Sequence, residues 1–190
     1  MSRSRFLAAV PWNTHTLGVL NDSMSIDDIA VTTITGEPTT MAQWAGKVRL
    51  VVNVASRCGL ATQYEALEEL QRTYGDRGFT VLGFPSNQFL QELSTEEAVA
   101  AYCSTTWGVT FPMFEKVWVN GRGRHPLYKI LTKAKDDGGN AGPVMWNFEK
   151  FLILPDGQIR RFRPNTEPDD PRVIEAIEAG LQQVAASGKA

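Results

Sequence analysis

The stretch "KVRLVVNVASRCGLATQYEAL", Lys47 to Leu67, decides the architecture. Its first eight residues are rich in β-branched side chains and apolar almost without interruption, as in a strand buried on both faces. Further on the spacing changes. Tyr64, Leu67, Leu70 and Tyr74 fall at helical intervals, and Gly75 and Gly78 stop the helix. A second apolar run, "FTVLGF" from Phe79 to Phe84, reads as another buried strand ended by Pro85. A right-handed crossover makes the two strands parallel neighbours.

The outer segments complete the layout. Upstream, "AVTTITGEPTTM" predicts a short hairpin turning at Gly36 and Pro38. Downstream, Ser94 and Glu97 form a capping box that starts a helix over Thr95–Thr106. "KVWV" before Asn120-Gly121 predicts a short strand and turn. "FLIL", Pro155-Asp156-Gly157 and "QIRRF" predict a hairpin. Asp170 and Pro171 open a last helix as N-cap and first residue, with Val173, Ile174, Ile177, Leu181 and Val184 on one face. The sum is an α/β domain: a central mixed sheet flanked by helices on both faces, the thioredoxin-like fold.

Composition narrows the function classes. The chain has 190 residues, 43% hydrophobic and 21% charged, with net charge −2, which suits one ordinary globular domain. No basic run or aromatic-interleaved basic strip exists to hold nucleic acid, and no apolar run is long enough for a membrane span. Residues 1–23 read as a disordered extension ahead of a single domain over 24–186. Arg3 and Arg5 precede too short an apolar run for a signal peptide and give only a faint transit-peptide pattern. Cys58 and Cys103 are the only cysteines, too few for a disulfide scaffold, so a cytoplasmic, reducing location is the default expectation.

Cys58 lies between the end of a buried strand and the start of a helix, where unpaired backbone N–H groups and the helix dipole favour a thiolate. As a lone cysteine it would count as a small buried hydrophobe. Gln88 in "GFPSNQF" lies just past the second parallel strand, and Trp146 and Asn147 in "MWNFEKFL" precede another. All three side chains offer neutral N–H donors that stabilise a thiolate without adding a base.

These motifs, with "YCSTTWGVTFPMFEKVWVNG", stand in one order from about Ile26 to Leu181, and in them the chain resembles the glutathione peroxidase family, in its cysteine-containing, thioredoxin-dependent branch. The resemblance implies a thioredoxin-like fold and an antioxidant hydroperoxide oxidoreductase without metal or cofactor. It implies Cys58 as the peroxidatic residue, a selenocysteine in some members, and Gln88, Trp146 and Asn147 as the rest of a catalytic tetrad. Cys103 matches the resolving cysteine. Hydrogen peroxide and organic or lipid hydroperoxides are the implied substrates, and thioredoxin, or else glutathione, the reductant. The short "KDDGGNAGPVMW" segment favours a monomer over the tetramers of longer-looped members. Ala61, where Thr is common, and Ser86, where many members carry Cys, depart from the pattern without touching the tetrad.

An unperturbed thiol is about 3% ionised at pH 7, so complete ionisation gains roughly 30-fold. The donors must therefore also stabilise the leaving oxygen, at about 10² to 10³ each. Cys103 sits some nine residues into its helix, roughly 14 Å along it. A disulfide needs Cα atoms about 5.5 Å apart, so that helix is expected to unwind locally on oxidation. A general thiol–disulfide oxidoreductase is disfavoured because "CGLA" lacks C-x-x-C, while a redox sensor or relay stays open. Trp12 and Trp44 read as tail or packing residues, His15 and His125 as too isolated for a metal, and Arg160, Arg161 and Arg163 as a solvated strand face.

Overall fold

The computed structural model describes residues 25–188; the extension expected at 1–23, with Trp12 and His15, lies outside them. Two parallel strands form the centre, β3 (Val48–Val54) and β4 (Phe79–Pro85), paired in register from Val48 opposite Phe79 to Val54 opposite Pro85. Between them runs α1 (Gln63–Tyr74). On the other side of β3 lies the antiparallel strand β5 (Lys150–Ile153), followed by β6 (Ile159–Phe162). The order β4-β3-β5-β6 is a mixed sheet. The hairpin of β1 (Ala30–Thr32) and β2 (Pro38–Thr40) forms its own small sheet, turning where Gly36 takes φ 86°.

Every residue of β3 is buried because both faces are covered. Val48, Leu50, Val52 and Val54 pack with Tyr64, Leu67 and Leu70 of α1 and with Val173, Ile177 and Leu181 of α4 (Pro171–Ser187). Val51 packs the opposite way, with Leu82, Phe84, Phe151 and the short helix α3 (Pro126–Leu131). The period of two thus splits one apolar run between two cores. Asp170 caps α4 as its sequence predicts, its Oδ1 accepting from Arg172 N at 2.9 Å.

Three local expectations need correction. The helix α2 spans Glu96–Trp107, and its cap is Thr95, whose Oγ1 accepts from Ala98 N at 3.2 Å; the Ser94–Glu97 box is one residue out of place. "KVWV" is not a strand. It runs beside β4 through Val117 N to Pro85 O, while Val119 N turns away to the Gln88 side chain. Arg161 is no solvated residue: it is 2% exposed and donates to Glu149 and to the carbonyls of Thr132, Ala134, Gly142 and Pro143. A strand with solvent on one face would have left it in water, but the 132–143 loop covers that face.

Sequence periodicity also missed α3, which is only six residues long. Its cap is His125, whose Nδ1 accepts from Leu127 N at 3.2 Å, with Pro126 as first residue. Burial lowers the His125 pKa, consistent with a neutral capping imidazole. Trp44 is the packing residue its sequence suggests, edge-on to Phe114 at 5.3 Å.

Candidate active site

Beyond Val54 the chain makes a run of turns before α1 begins, and Cys58 sits in it. Ala61 N donates to Cys58 O at 2.9 Å, and Leu60 N donates to Cys58 Sγ at 3.4 Å. Wound this way, the turn aims a backbone N–H at the sulfur. The thiol is only 6% exposed.

Asn53 of β3 organises the segment that carries the tryptophan. Its Nδ2 donates to Trp146 O at 2.9 Å, and its own carbonyl accepts from Phe148 N at 2.6 Å. Phe148 is thereby held at φ 63°, a conformation that a bulky residue keeps only when its surroundings fix it. The reversal turns Asn147 wholly into the protein, where its Nδ2 donates to Gln91 Oε1 at 3.0 Å. Gln91 O in turn accepts from Arg57 N at 2.8 Å, one residue before Cys58. The Trp146 ring, 40% exposed, lies 5.0 Å from that of Phe89.

The Gln88 carboxamide is bonded to the chain opposite it and not to the sulfur. Its Oε1 accepts from Val119 N at 2.6 Å and Asn120 N at 2.8 Å, and its Nε2 donates to Asn120 O at 3.2 Å. The carboxamide substitutes for a neighbouring strand and holds the 117–120 segment in place. Gln91, three residues later, has the position next to Asn147. Nothing in the periodicity separates the two glutamines of "NQFLQE"; the strand-like gap at Val119–Asn120 decides which one is consumed structurally. Among the described residues, neither Gln88, Trp146 nor Asn147 donates to the sulfur here.

Cys103 lies in α2 on the stripe with Val99, both essentially buried, and both cysteines are free. Burial pushes the Cys103 thiol up to about 11, a hydrogen bond with Tyr64 opposes this, and the charge of Glu92 adds to it. Tyr64 is itself raised, first by burial and then by Cys103 and Glu92. Beneath the Cys58 turn, Lys150 Nζ donates to Gln63 Oε1 at 2.7 Å, Phe148 O at 2.5 Å and Pro164 O at 3.2 Å. This ties the start of α1 to the Asn147–Phe148 reversal. Burial lowers Lys150 to about 7.

The surface around Trp146 is apolar. Leu90 is 87% exposed at φ 58°, and Met145 and Trp118 are also exposed. Asn87, Gln88, Leu90, Lys116, Val117 and Trp118 line an open groove of about 490 Å³ that neither Cys58 nor Trp146 lines. Among the described residues no group of three His, Cys, Asp or Glu side chains could hold a metal, and no helix is long and apolar enough to cross a membrane.

Comparison with known proteins gives a consistent result. The family model for glutathione peroxidase matches residues 26–132. The chain is 50% identical over 178 residues to the thioredoxin/glutathione peroxidase BtuE of Escherichia coli, covering 83% of this chain and 97% of that one. It is 46% identical over 142 residues to a hydroperoxy fatty acid reductase of Synechocystis, covering 71% and 84%. Among solved structures, the apo form of Trgpx matches with TM-score 0.66 at 39% identity, covering 85% of this chain and 98% of that one. A thioredoxin family thiol:disulfide interchange protein from Chlorobium tepidum matches with TM-score 0.54 at 22% identity, covering 80% and 92%, a likeness of fold alone.

Proposed function

The chain belongs to the glutathione peroxidase family and is a thiol-dependent hydroperoxide reductase of thioredoxin-like fold; on that premise we propose that Cys58 is its peroxidatic residue, assisted by Gln91, Asn147 and Trp146. The observation that carries this is the chain of contacts from Asn147 Nδ2 to Gln91 Oε1 and from Gln91 O to Arg57 N. The Cys58 thiolate attacks one oxygen of R–O–O–H and the O–O bond breaks. Sulfur keeps the OH as a sulfenic acid, and the alkoxide leaves as an alcohol once protonated. Leu60 N already faces the sulfur, and amides and indole at the rim are suited to the charge on the leaving oxygen.

Gln91 replaces Gln88 in this reading. Gln91→Ala should lower the rate of the peroxide step by about 100-fold, the low end of the range for one lost donor. Gln88→Ala should instead lower stability by about 1–3 kcal/mol, because it strands Val119 N and Asn120 N, and should spare the rate per folded molecule. Stopped-flow peroxide consumption beside chemical unfolding separates the two. Equal kinetic losses would return Gln88 to the site.

Resolution is proposed to follow from Cys103, which condenses with the sulfenic acid to give a Cys58–Cys103 disulfide and water. Since Cys103 is buried in α2, that helix opens first. An external dithiol then reduces the disulfide, and thioredoxin is the proposed donor, supported by the second cysteine and by the name of the Escherichia coli relative. The apolar rim of Leu90, Met145 and Trp146 favours organic and lipid hydroperoxides. A monomer in a cytoplasmic, reducing compartment fits the short 135–146 segment and the two cysteines. Peroxide-dependent NADPH oxidation tests the cycle, coupled through thioredoxin or glutathione and their reductases. Thioredoxin turnover should collapse in Cys103→Ser. Glutathione turnover indifferent to Cys103 would establish a one-cysteine cycle, and no turnover with either would favour a relay to a partner protein.

A further inference from the structure

Glu92 is a buried carboxylate that none of these steps has used. It is 5% exposed and lies in the loop between β4 and α2. Its Oε1 accepts from Ser56 N at 3.0 Å, two residues before Cys58, and from Leu93 N at 2.7 Å. Its Oε2 has no partner among the described residues, and no Lys, Arg or His side chain pairs with it there. Nearby, Ser56 Oγ is likewise buried without a partner. A buried carboxylate oxygen without cation or donor is costly to keep, so it needs a reason.

The surroundings supply one. The bond to Ser56 N fixes the carboxylate to the Cys58 turn, and its charge adds a lesser contribution to the rise that burial gives Cys103 on α2 and Tyr64 on α1. Glu92 therefore lies at the Cys58 end of the space that Cys103 must cross. The step made there needs a proton moved. Only a thiolate attacks sulfur, and a thiol at about 11 is ionised to roughly 10⁻⁴ at pH 7. The departing hydroxide must also be protonated.

We propose that Glu92 is the acid–base group of disulfide formation, an inference that rests on the Cys58–Cys103 cycle above. As Cys103 Sγ bonds to Cys58 Sγ and the S–O bond breaks, the Cys103 proton passes to Glu92 Oε2. Glu92 then gives it to the departing oxygen, so that one water leaves and the carboxylate is restored. Sulfenic acid plus thiol gives disulfide plus water, and no outside oxidant or reductant takes part. Before oxidation burial, with this negative charge added to it, keeps Cys103 a thiol, so peroxide meets only one reactive sulfur.

Glu92→Gln is the discriminating variant, because its amide oxygen can still accept from Ser56 N and Leu93 N while its other arm is no longer a base. A single turnover with one equivalent of peroxide reads the two steps separately: sulfenic acid by dimedone trapping, disulfide by mass spectrometry. The expected result is sulfenic acid formed at the wild-type rate and disulfide formed at least about a hundredfold more slowly, the low end of general acid–base effects. Disulfide at the wild-type rate would overturn the proposal, as would both steps slowed alike, which is how a merely structural carboxylate behaves. Wild-type enzyme gives a second readout that needs no variant: a solvent deuterium effect of about 2 or more on the disulfide step supports proton transfer, and one near unity refutes it. If the wild type itself forms no Cys58–Cys103 bond, the two-cysteine reading fails instead.

Discussion

Cys58→Ser is expected to lower peroxide turnover by about 10³-fold or more while leaving the fold intact. The substitution changes one atom of a buried side chain in the core cluster and keeps an acceptor for Leu60 N, so the fold should hold. Chemistry changes far more. A serine hydroxyl stays protonated where a thiol can ionise, and its oxygen does not form the sulfenic acid through which the cycle runs. Coupled NADPH oxidation measures the loss, and a thermal melt beside it shows that the protein is folded. Residual turnover within tenfold of wild type would move the reactive centre away from Cys58. The contrast with Cys103→Ser is the sharper part of the expectation: that variant should still consume one equivalent of peroxide before it stalls.

The second large effect belongs to Glu149. Its Oε1 takes Arg161 Nε at 2.6 Å and Arg163 Nη1 at 2.8 Å, and its Oε2 takes Met145 N at 2.8 Å. Arg161 and Glu149 are both shut off from water. Glu149→Ala therefore strands a guanidinium in the interior and should cost about 3–5 kcal/mol, the range for breaking one side of a buried pair. Urea unfolding at neutral pH checks this, and a loss below about 1 kcal/mol would mean that water reaches Arg161. The same variant frees Met145 N, next to Trp146, so the rate per folded molecule should fall as well. Glu149 thus links the stability of the β5–β6 edge to the placement of the tryptophan.

Much of this was legible in the residues. The β-branched run at Lys47–Val54 and the helical spacing after it place the parallel pair and α1, because each pattern follows from which face meets a core. Asp170-Pro171 fixes the start of α4 for an equally local reason. What escaped was non-local. Whether Gln88 or Gln91 meets Asn147 depends on a chain segment thirty residues away that needed a hydrogen-bonding partner. Arg161 looks like one of three surface arginines until the 132–143 loop folds over it. Glu92 carried no signal at all, since a single Glu in a polar loop is ordinary until it proves buried.

The modest anchorage of α2 has a consequence for the enzyme's survival. Among its twelve residues only Val99 and Cys103 are fully buried, with Tyr102 and Trp107 half-buried against Tyr64, so opening it costs two aromatic contacts and only two core side chains. Easy opening shortens the time that Cys58 waits as a sulfenic acid, and a waiting sulfenic acid is what a second peroxide converts irreversibly to sulfinic acid. Engineering that pins this helix, by filling its apolar stripe or adding surface ion pairs, would raise the melting temperature. It would also make the protein easier to kill with excess oxidant. Thermal robustness and oxidant tolerance pull α2 in opposite directions, and its composition favours tolerance.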